Sequence, residues 1–268
     1  MIFETSPNGR KAVSRLWEFP IELFFSHCSM NYIDMKRQVF RLKIYPLTSL
    51  HLSAMRLYYF TSKEYGLLAI KNCRLKIARI NELNDPFEFI GCNVQDPKLR
   101  AKLRLWKKNR HSEIGILCFS NKWSSPLLWG HYADKHRGMA LGFDVPDDGS
   151  WKQVIYVPNR RPFLTGSELD CADTKSLLLT KFDAWQYESE FRYFCHLDEG
   201  NQRNGLYFEP FSVTLKLVEV IVGSESRITR NELSEALCGQ HPNVSSFKAR
   251  PAFGAFMVIE NRNKAHWK

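Results

Sequence analysis

Residues 181–194 read KFDAWQYESEFRYF, and the charges in this stretch restrict the fold more than any other feature of the chain. Extended backbone sends successive side chains to opposite faces. With the end of the segment as a strand, Trp185, Tyr187, Phe191 and Tyr193 share one face, and Glu188, Glu190 and Arg192 share the other. The aromatic face asks for a core beneath it. Two carboxylates beside one arginine are unfavourable unless one is paired or binds something. Either Glu190 and Arg192 form a plain structural ion pair, or one glutamate pairs with Arg192 while the other faces a substrate hydroxyl or a developing cation.

The chain leading to this segment alternates short helices and strands. Residues 57–60 form an aromatic-rich strand, Thr61 with Glu64 makes a capping box, and a helix runs to about Lys71, with Asn72 suited to its end. Leu75, Ile77 and Arg79 belong to a second strand. Basic residues from Arg100 to Arg110 recur at helical spacing around Leu103 and Trp106, which reads as the solvated face of a surface helix, the alternative being a nucleic-acid groove. Strands follow at 114–119, 139–145, 154–157, 191–195, 206–208, 218–222 and 255–259, and a late helix at 230–238. Hairpin-length gaps between the later strands favour an α+β fold: a mixed, mainly antiparallel sheet with flanking helices.

Of the 268 residues, 44% are hydrophobic, enough for a well-buried core, and residues 55–268 read as a single α+β domain. Residues 1–54 lack clear periodicity and form an N-terminal extension. They are poorly ordered, an over-long reading of a gene whose product starts near Met55, or a small docking module. No apolar run reaches the roughly 18 residues of a membrane span, and the N-terminus lacks a secretory pattern, so a cytoplasmic protein that does not act on membranes is expected. Seven scattered cysteines, none in a C-x-x-C pair, point to reduced thiols. The net charge of +10 attracts a polyanion or a phosphate-bearing ligand.

Two further segments could hold chemistry. LNDPFE, residues 83–88, places an N-cap acceptor, Pro86 at the first helical position and Glu88 at the third, a helix start in its Asp form. WGHYADKHRG, residues 129–138, continues a helix capped by Ser125, with Trp129, Tyr132, Ala133 and His136 on one face and residues 135–137 in the last turn before Gly138. His131 and His136 are five apart and do not form the one-face pair of a zinc helix, so no metal site is expected, though either could be the general base of a metal-free nuclease. There is no G-x-S-x-G elbow, P-loop or G-x-G-x-x-G turn.

In order, Y-x-F-T at 58–61, LNDPFE at 83–88, CFS at 118–120, the WxHYADxHxGxxLGFD stretch at 129–144 and WxYExExR at 185–192 resemble the bacterial family called domain of unknown function twenty-nine seventy-one. The resemblance spans about residues 55–225 and implies a place in bacterial defence and mobile-element neighbourhoods. A weaker similarity is to ADP-ribosyltransferases of the diphtheria-toxin and poly-ADP-ribose-polymerase type. It implies an enzyme that consumes NAD, with a nucleic-acid or protein acceptor. Tyr59 would fill the first role, where His or Arg is usual, Ser120 or Tyr132 the second, and Glu190 or Glu188 the third. On this resemblance the catalytic candidates are Glu190, taken first, then Glu188, Tyr59 and Tyr132. Those for NAD contact are Tyr59, Asn84, Asp85, Ser120, Trp129, His131 and Arg192. The rival is a non-catalytic nucleic-acid- or protein-binding module of a defence system, in which the same motifs are core and ion-pair structure.

Overall fold

Strand β1 (Ala54–Thr61) shows how the sheet divides its two faces: Leu57 is buried in one hydrophobic core and Tyr58 in another. The computed structural model describes residues 53–161, 176–238 and 241–267. The expectation for residues 1–54 falls outside these, except that Ala54 already opens β1 and the Ser53 carbonyl accepts from the Asp147 amide (2.9 Å).

After β1 come α1 (Lys63–Lys71), β2 (Arg74–Arg79) and a short 3-10 turn at Ile80–Glu82, then α2 (Pro97–Arg110) and β3 (Ile114–Ser120). Next are α3 (Pro126–Tyr132), β4 (Met139–Pro146), β5 (Lys152–Gln153), β6 (Ile155–Val157), β7 (Thr180–Phe182) and a 3-10 helix at Asp183–Glu188. The chain continues through β8 (Glu190–His196), β9 (Gln202–Arg203), β10 (Leu206–Pro210), β11 (Lys216–Val222), α4 (Arg230–Leu237), β12 (Ser245–Pro251) and β13 (Val258–Glu260). The fold is α+β. Eleven of these strands form one mixed sheet, antiparallel at every pairing except β11 with β12, while β6 and β7 form a small parallel pair.

One junction in the sheet matters most. Strand β8 pairs with all seven residues of β3, from Ile114↔His196 to Ser120↔Glu190, and so occupies one whole edge of that strand. Strands β1 and β2 must therefore share the other edge. They meet β3 at opposite ends, β1 at Ser120 through Tyr58 and β2 at Gly115 and Ile116 through Arg79 and Ala78. Between these contacts the two strands part and leave residues 117–119 facing a gap.

The cores follow the strand alternation. Leu57, Leu141, Phe143 and Val220 pack on one face with Ile70 of α1 and Leu233 of α4; Tyr58, Ala140, Ile221 and Ala249 pack on the other with Trp129 of α3. A smaller core joins Ile80, Phe89, Ile114, Ile116 and Leu178, and Leu103 attaches α2 beside it through Cys92, Val94 and Leu177. Helix α2 exposes Lys98, Arg100, Lys102, Arg104 and Lys108 and is anchored by buried Leu103. No disulfide joins the described cysteines, and no helix among the described residues is long and apolar enough to cross a membrane.

Three local expectations are corrected. Thr61 is the last residue of β1, so the cap of α1 passes to Ser62, whose hydroxyl accepts from the Tyr65 amide (3.4 Å). LNDPFE caps no helix. Asp85 Oδ1 accepts from the Phe87 amide (2.8 Å) and the Asp85 carbonyl from the Glu88 amide (3.0 Å), but Phe89 then turns left-handed (φ 61°) and ends the structure after one turn. Helix α3 stops at Tyr132, because Asp134, Lys135 and His136 are all left-handed (φ 46°, 54° and 68°), which a right-handed helix cannot accommodate. The left-handed loop returns the chain to β4 through Gly138, where an added Cβ would lie 2.0 Å from the Thr61 carbonyl.

Away from these features, Glu209 of β10 is mostly buried. Burial, reinforced by Asp198, pushes its carboxyl up to about 7. A carboxyl raised on folding stabilises the fold in its protonated form, and that contribution is lost as pH climbs from the unfolded value through about 7. The melting temperature is expected to fall by a few degrees between pH 5 and pH 8, and Glu209→Gln to flatten the dependence, as followed by circular dichroism. An unchanged slope in the variant would remove Glu209 as its cause.

Candidate active site

The gap beside β3 opens into a cleft of about 300 Å³. Its walls include Tyr58 and Tyr59 of β1 and Ala78 of β2, its floor is residues 116–120 of β3, and Asn84, Tyr132 and Glu188 lie around it. The chain reaches this arrangement at WQYESEFR by abandoning strand geometry halfway. Residues 183–188 form a 3-10 helix, Ser189 takes a left-handed conformation (φ 44°), and only then does β8 begin. Trp185 and Tyr187 thus leave the face of Phe191 and Tyr193 and gather around the His131 ring, with centroids 6.4 and 6.0 Å away.

The turn is held from three sides. Ser120 Oγ donates to the Glu188 carbonyl (2.5 Å) and accepts from the Lys122 amide (3.0 Å). The Glu190 amide donates to the Tyr156 hydroxyl (2.9 Å), and the Asn121 amide to the Ser189 carbonyl (3.3 Å).

Inside it lies a cluster of five buried charges. Lys181 Nζ is 2.6 Å from Glu188 Oε2, 3.1 Å from Glu190 Oε2 and 3.3 Å from Glu88 Oε1. Arg192, with no exposed surface, donates through Nε to Glu190 Oε1 (2.7 Å), through Nη2 to Glu88 Oε1 (2.7 Å) and through Nη1 to the Leu178 carbonyl (2.8 Å). Three carboxylates against two cations leave a formal charge of −1 when all are ionised.

The two glutamates of the motif divide that excess unequally. Burial alone would raise Glu190, but Arg192 and Lys181 overcome it and hold its carboxyl down at about 2. Burial raises Glu188 above the ordinary carboxylate range, aided by the charge of Glu190 and opposed by Lys181. Glu190 is therefore the structural anion and Glu188 the one whose charge is in surplus. Glu188 Oε1 accepts from the Tyr132 hydroxyl in a short hydrogen bond, and Tyr132 in turn accepts from Asn84 Nδ2 (2.9 Å). Burial followed by the Glu188 charge raises the Tyr132 hydroxyl, keeping it a protonated donor. Glu88, also lining the cleft and 4% exposed, leaves Oε2 buried without a hydrogen-bond partner.

No protein-family model, curated protein or solved structure matches the chain. The site rests on its own geometry.

Of the residues singled out in the sequence, Tyr59, Asn84, Ser120, Tyr132, Glu188 and Glu190 line the cleft together. The other four lie elsewhere. Asp85 is spent on its turn, Arg192 lies beneath the cleft between Glu88 and Glu190, and Trp129 is a core side chain, fully buried, that donates to the Trp123 carbonyl (2.6 Å). His131 sits with its aromatic neighbours outside the cleft lining, and His136 stacks on Trp129 (6.1 Å), so neither histidine faces the cleft. Lys181 and Glu88 join the site as well, Glu88 from a turn whose local sequence suggests only a cap. One signal pointed to Lys181 alone: two glutamates with a single arginine need a second cation, and Lys181 begins the same segment. Among the described residues no group of His, Cys, Asp and Glu is placed to hold a metal ion.

Proposed function

We propose that the protein is an ADP-ribosyltransferase-like enzyme that consumes NAD, of the bacterial defence or toxin kind implied by its motifs, with Glu188 as the working carboxylate. The observation that carries this reading is the position of Glu188. It is a buried carboxylate in charge surplus, aimed by Tyr132 and Lys181, in a cleft bounded by tyrosines. Breaking the bond between nicotinamide N1 and ribose C1′ sends the electron pair to nicotinamide and leaves an oxocarbenium-like ribose. A fixed anion with little surrounding water stabilises that cation strongly. The acceptor's nucleophilic atom then bonds to C1′ and releases its proton. Glu88 Oε2 offers a ribose hydroxyl a buried acceptor, which supports the fit of the nicotinamide ribose. Asn84 and Tyr132 act by positioning Glu188, and Tyr59 by walling the cleft.

The closed pairing of Glu190 with Arg192 favours the rival of a non-catalytic binding module, for which the cluster is only structure. Purified protein incubated with nicotinamide-labelled NAD and bacterial lysate separates the two. Release of labelled nicotinamide is expected, falling about 10- to 100-fold in Tyr132→Phe, the loss of one hydrogen bond to a charged group. Folded protein that neither binds NAD nor releases nicotinamide would overturn the enzyme reading.

A further inference from the structure

A second cavity, of about 360 Å³, lies on the other side of Lys181, which lines both. Phe87, Ile90, Arg160, Thr180 and Phe182 line it with Lys181. Its frame is backbone: the Arg161 amide donates to the Gly91 carbonyl (2.9 Å), the Asn93 amide to the Arg161 carbonyl (2.8 Å), and β6 runs parallel to β7.

Three observations point to its occupant. Thr180 is 3% exposed, yet its Oγ1 has no hydrogen-bond partner. A buried hydroxyl left unsatisfied is destabilising, and a ligand that supplies the partner recovers that loss. Phe87 and Phe182 keep 59% and 52% of their surfaces exposed at the same cavity, so two aromatic rings are held where a planar group could stack. The surroundings are basic. The Arg160 guanidinium lies 5.5 Å from the Phe87 ring centre, and Arg161 is exposed beside it. Lys107 Nζ donates to the Glu88 carbonyl (2.6 Å), tying α2 to the turn that carries Phe87, and α2 exposes Lys98, Arg100, Lys102, Arg104 and Lys108.

Aromatic platforms on a positive surface suit single-stranded nucleic acid, whose bases are free to stack while phosphates meet the cations. We infer that this cavity docks a base of a single-stranded nucleic acid, and that an adjoining nucleotide of the same strand is the acceptor of the ADP-ribosyl group. The transfer rests on the enzyme reading above; the docking does not. A duplex keeps its bases stacked within itself and cannot use the rings. A peptide of Asp and Glu could satisfy the charge but offers no aromatic ring to the phenylalanines.

The test is fluorescence anisotropy with the full chain and labelled oligonucleotides of about 12 residues, as single-stranded DNA, single-stranded RNA and duplex DNA, with an acidic peptide as a fourth arm. Single strands are expected to bind with log affinity falling linearly against log salt concentration, and the DNA and RNA arms to show which sugar is preferred. Phe87→Ala and Phe182→Ala, both at exposed positions, are each expected to weaken binding about tenfold, in line with one lost stacking contact. Thr180→Val is expected to alter preference among bases without changing the salt slope. Single strands that fail to bind at low salt, or aromatic variants that bind as the wild type does, would overturn the docking site. With NAD labelled in its adenylate part instead, label found on peptide or protein alone would overturn the acceptor. Oligonucleotide binding through these rings without NAD consumption would leave the docking site standing and remove the enzyme reading. NAD consumption without oligonucleotide binding would do the reverse.

Discussion

Arg192→Met is expected to cost the fold about 3–5 kcal/mol, the penalty of leaving a buried charge without its partner. The guanidinium bridges Glu88 and Glu190, and both carboxylates are buried. Methionine keeps most of the volume and none of the charge, so three carboxylates would face Lys181 alone. Protein of this size loses about 2–4 °C of melting temperature per kcal/mol, so a fall on the order of 10 °C is expected, read by circular dichroism. The pH dependence identifies the cause. A carboxyl held at about 2 on folding contributes stability that is present above the ordinary value near 4.5 and lost as pH falls toward 2. Wild-type stability should therefore drop across that window, and the variant should lack much of the drop. A methionine variant that melts with the wild type at neutral pH would show that the cluster is not held as described.

Glu188→Gln is the second large effect, and it acts on rate. Glutamine preserves shape and removes the anion facing the cleft, and its one oxygen accepts from Tyr132 or from Lys181 but not from both, leaving Lys181 to Glu190 and Glu88. The release of nicotinamide is expected to fall about 100- to 1000-fold, the scale of losing one electrostatic stabiliser of a transition state. The fold should be unharmed. The cluster's formal charge moves from −1 to zero, and the group removed is the one burial disfavours. A melting temperature close to that of the wild type, with activity lost, is the expected pairing, because Lys181 keeps Glu190 and Glu88. Because the Glu188 carboxyl is raised, the acid limb of the wild-type rate profile should lie at higher pH than an ordinary glutamate would give, since protonation removes the working charge. A variant that loses stability while any activity persists would assign Glu188 to structure.

Much of the sheet was legible because its strands are short apolar runs between turn residues. Strands β1 to β4, β8, β10 and β11 all lie where those runs placed them. Strand β12, SSFKARP, escaped because it is polar and ends in Pro251, and its pairing with β11 comes from long-range placement rather than local pattern. The left-handed run at 134–136 also left no trace, since Asp and His adopt that conformation only as scattered single residues and Lys135 seldom does. At the site, the pairing of Glu190 with Arg192 was readable from spacing two residues apart. The meeting of Lys181 with Glu88 depends on segments more than ninety residues apart brought together by the sheet, and no local rule reports it.

The parting of β1 from β2 along one edge of β3 has a further consequence. Among the described residues no strand pairs with residues 117–119 on that side, so the bottom of the cleft presents main-chain amides and carbonyls that every side-chain replacement leaves in place. Alanine scanning would be blind to that surface. Amide hydrogen exchange could see it, because a bound molecule would slow the exchange of amides that the neighbouring strands leave open.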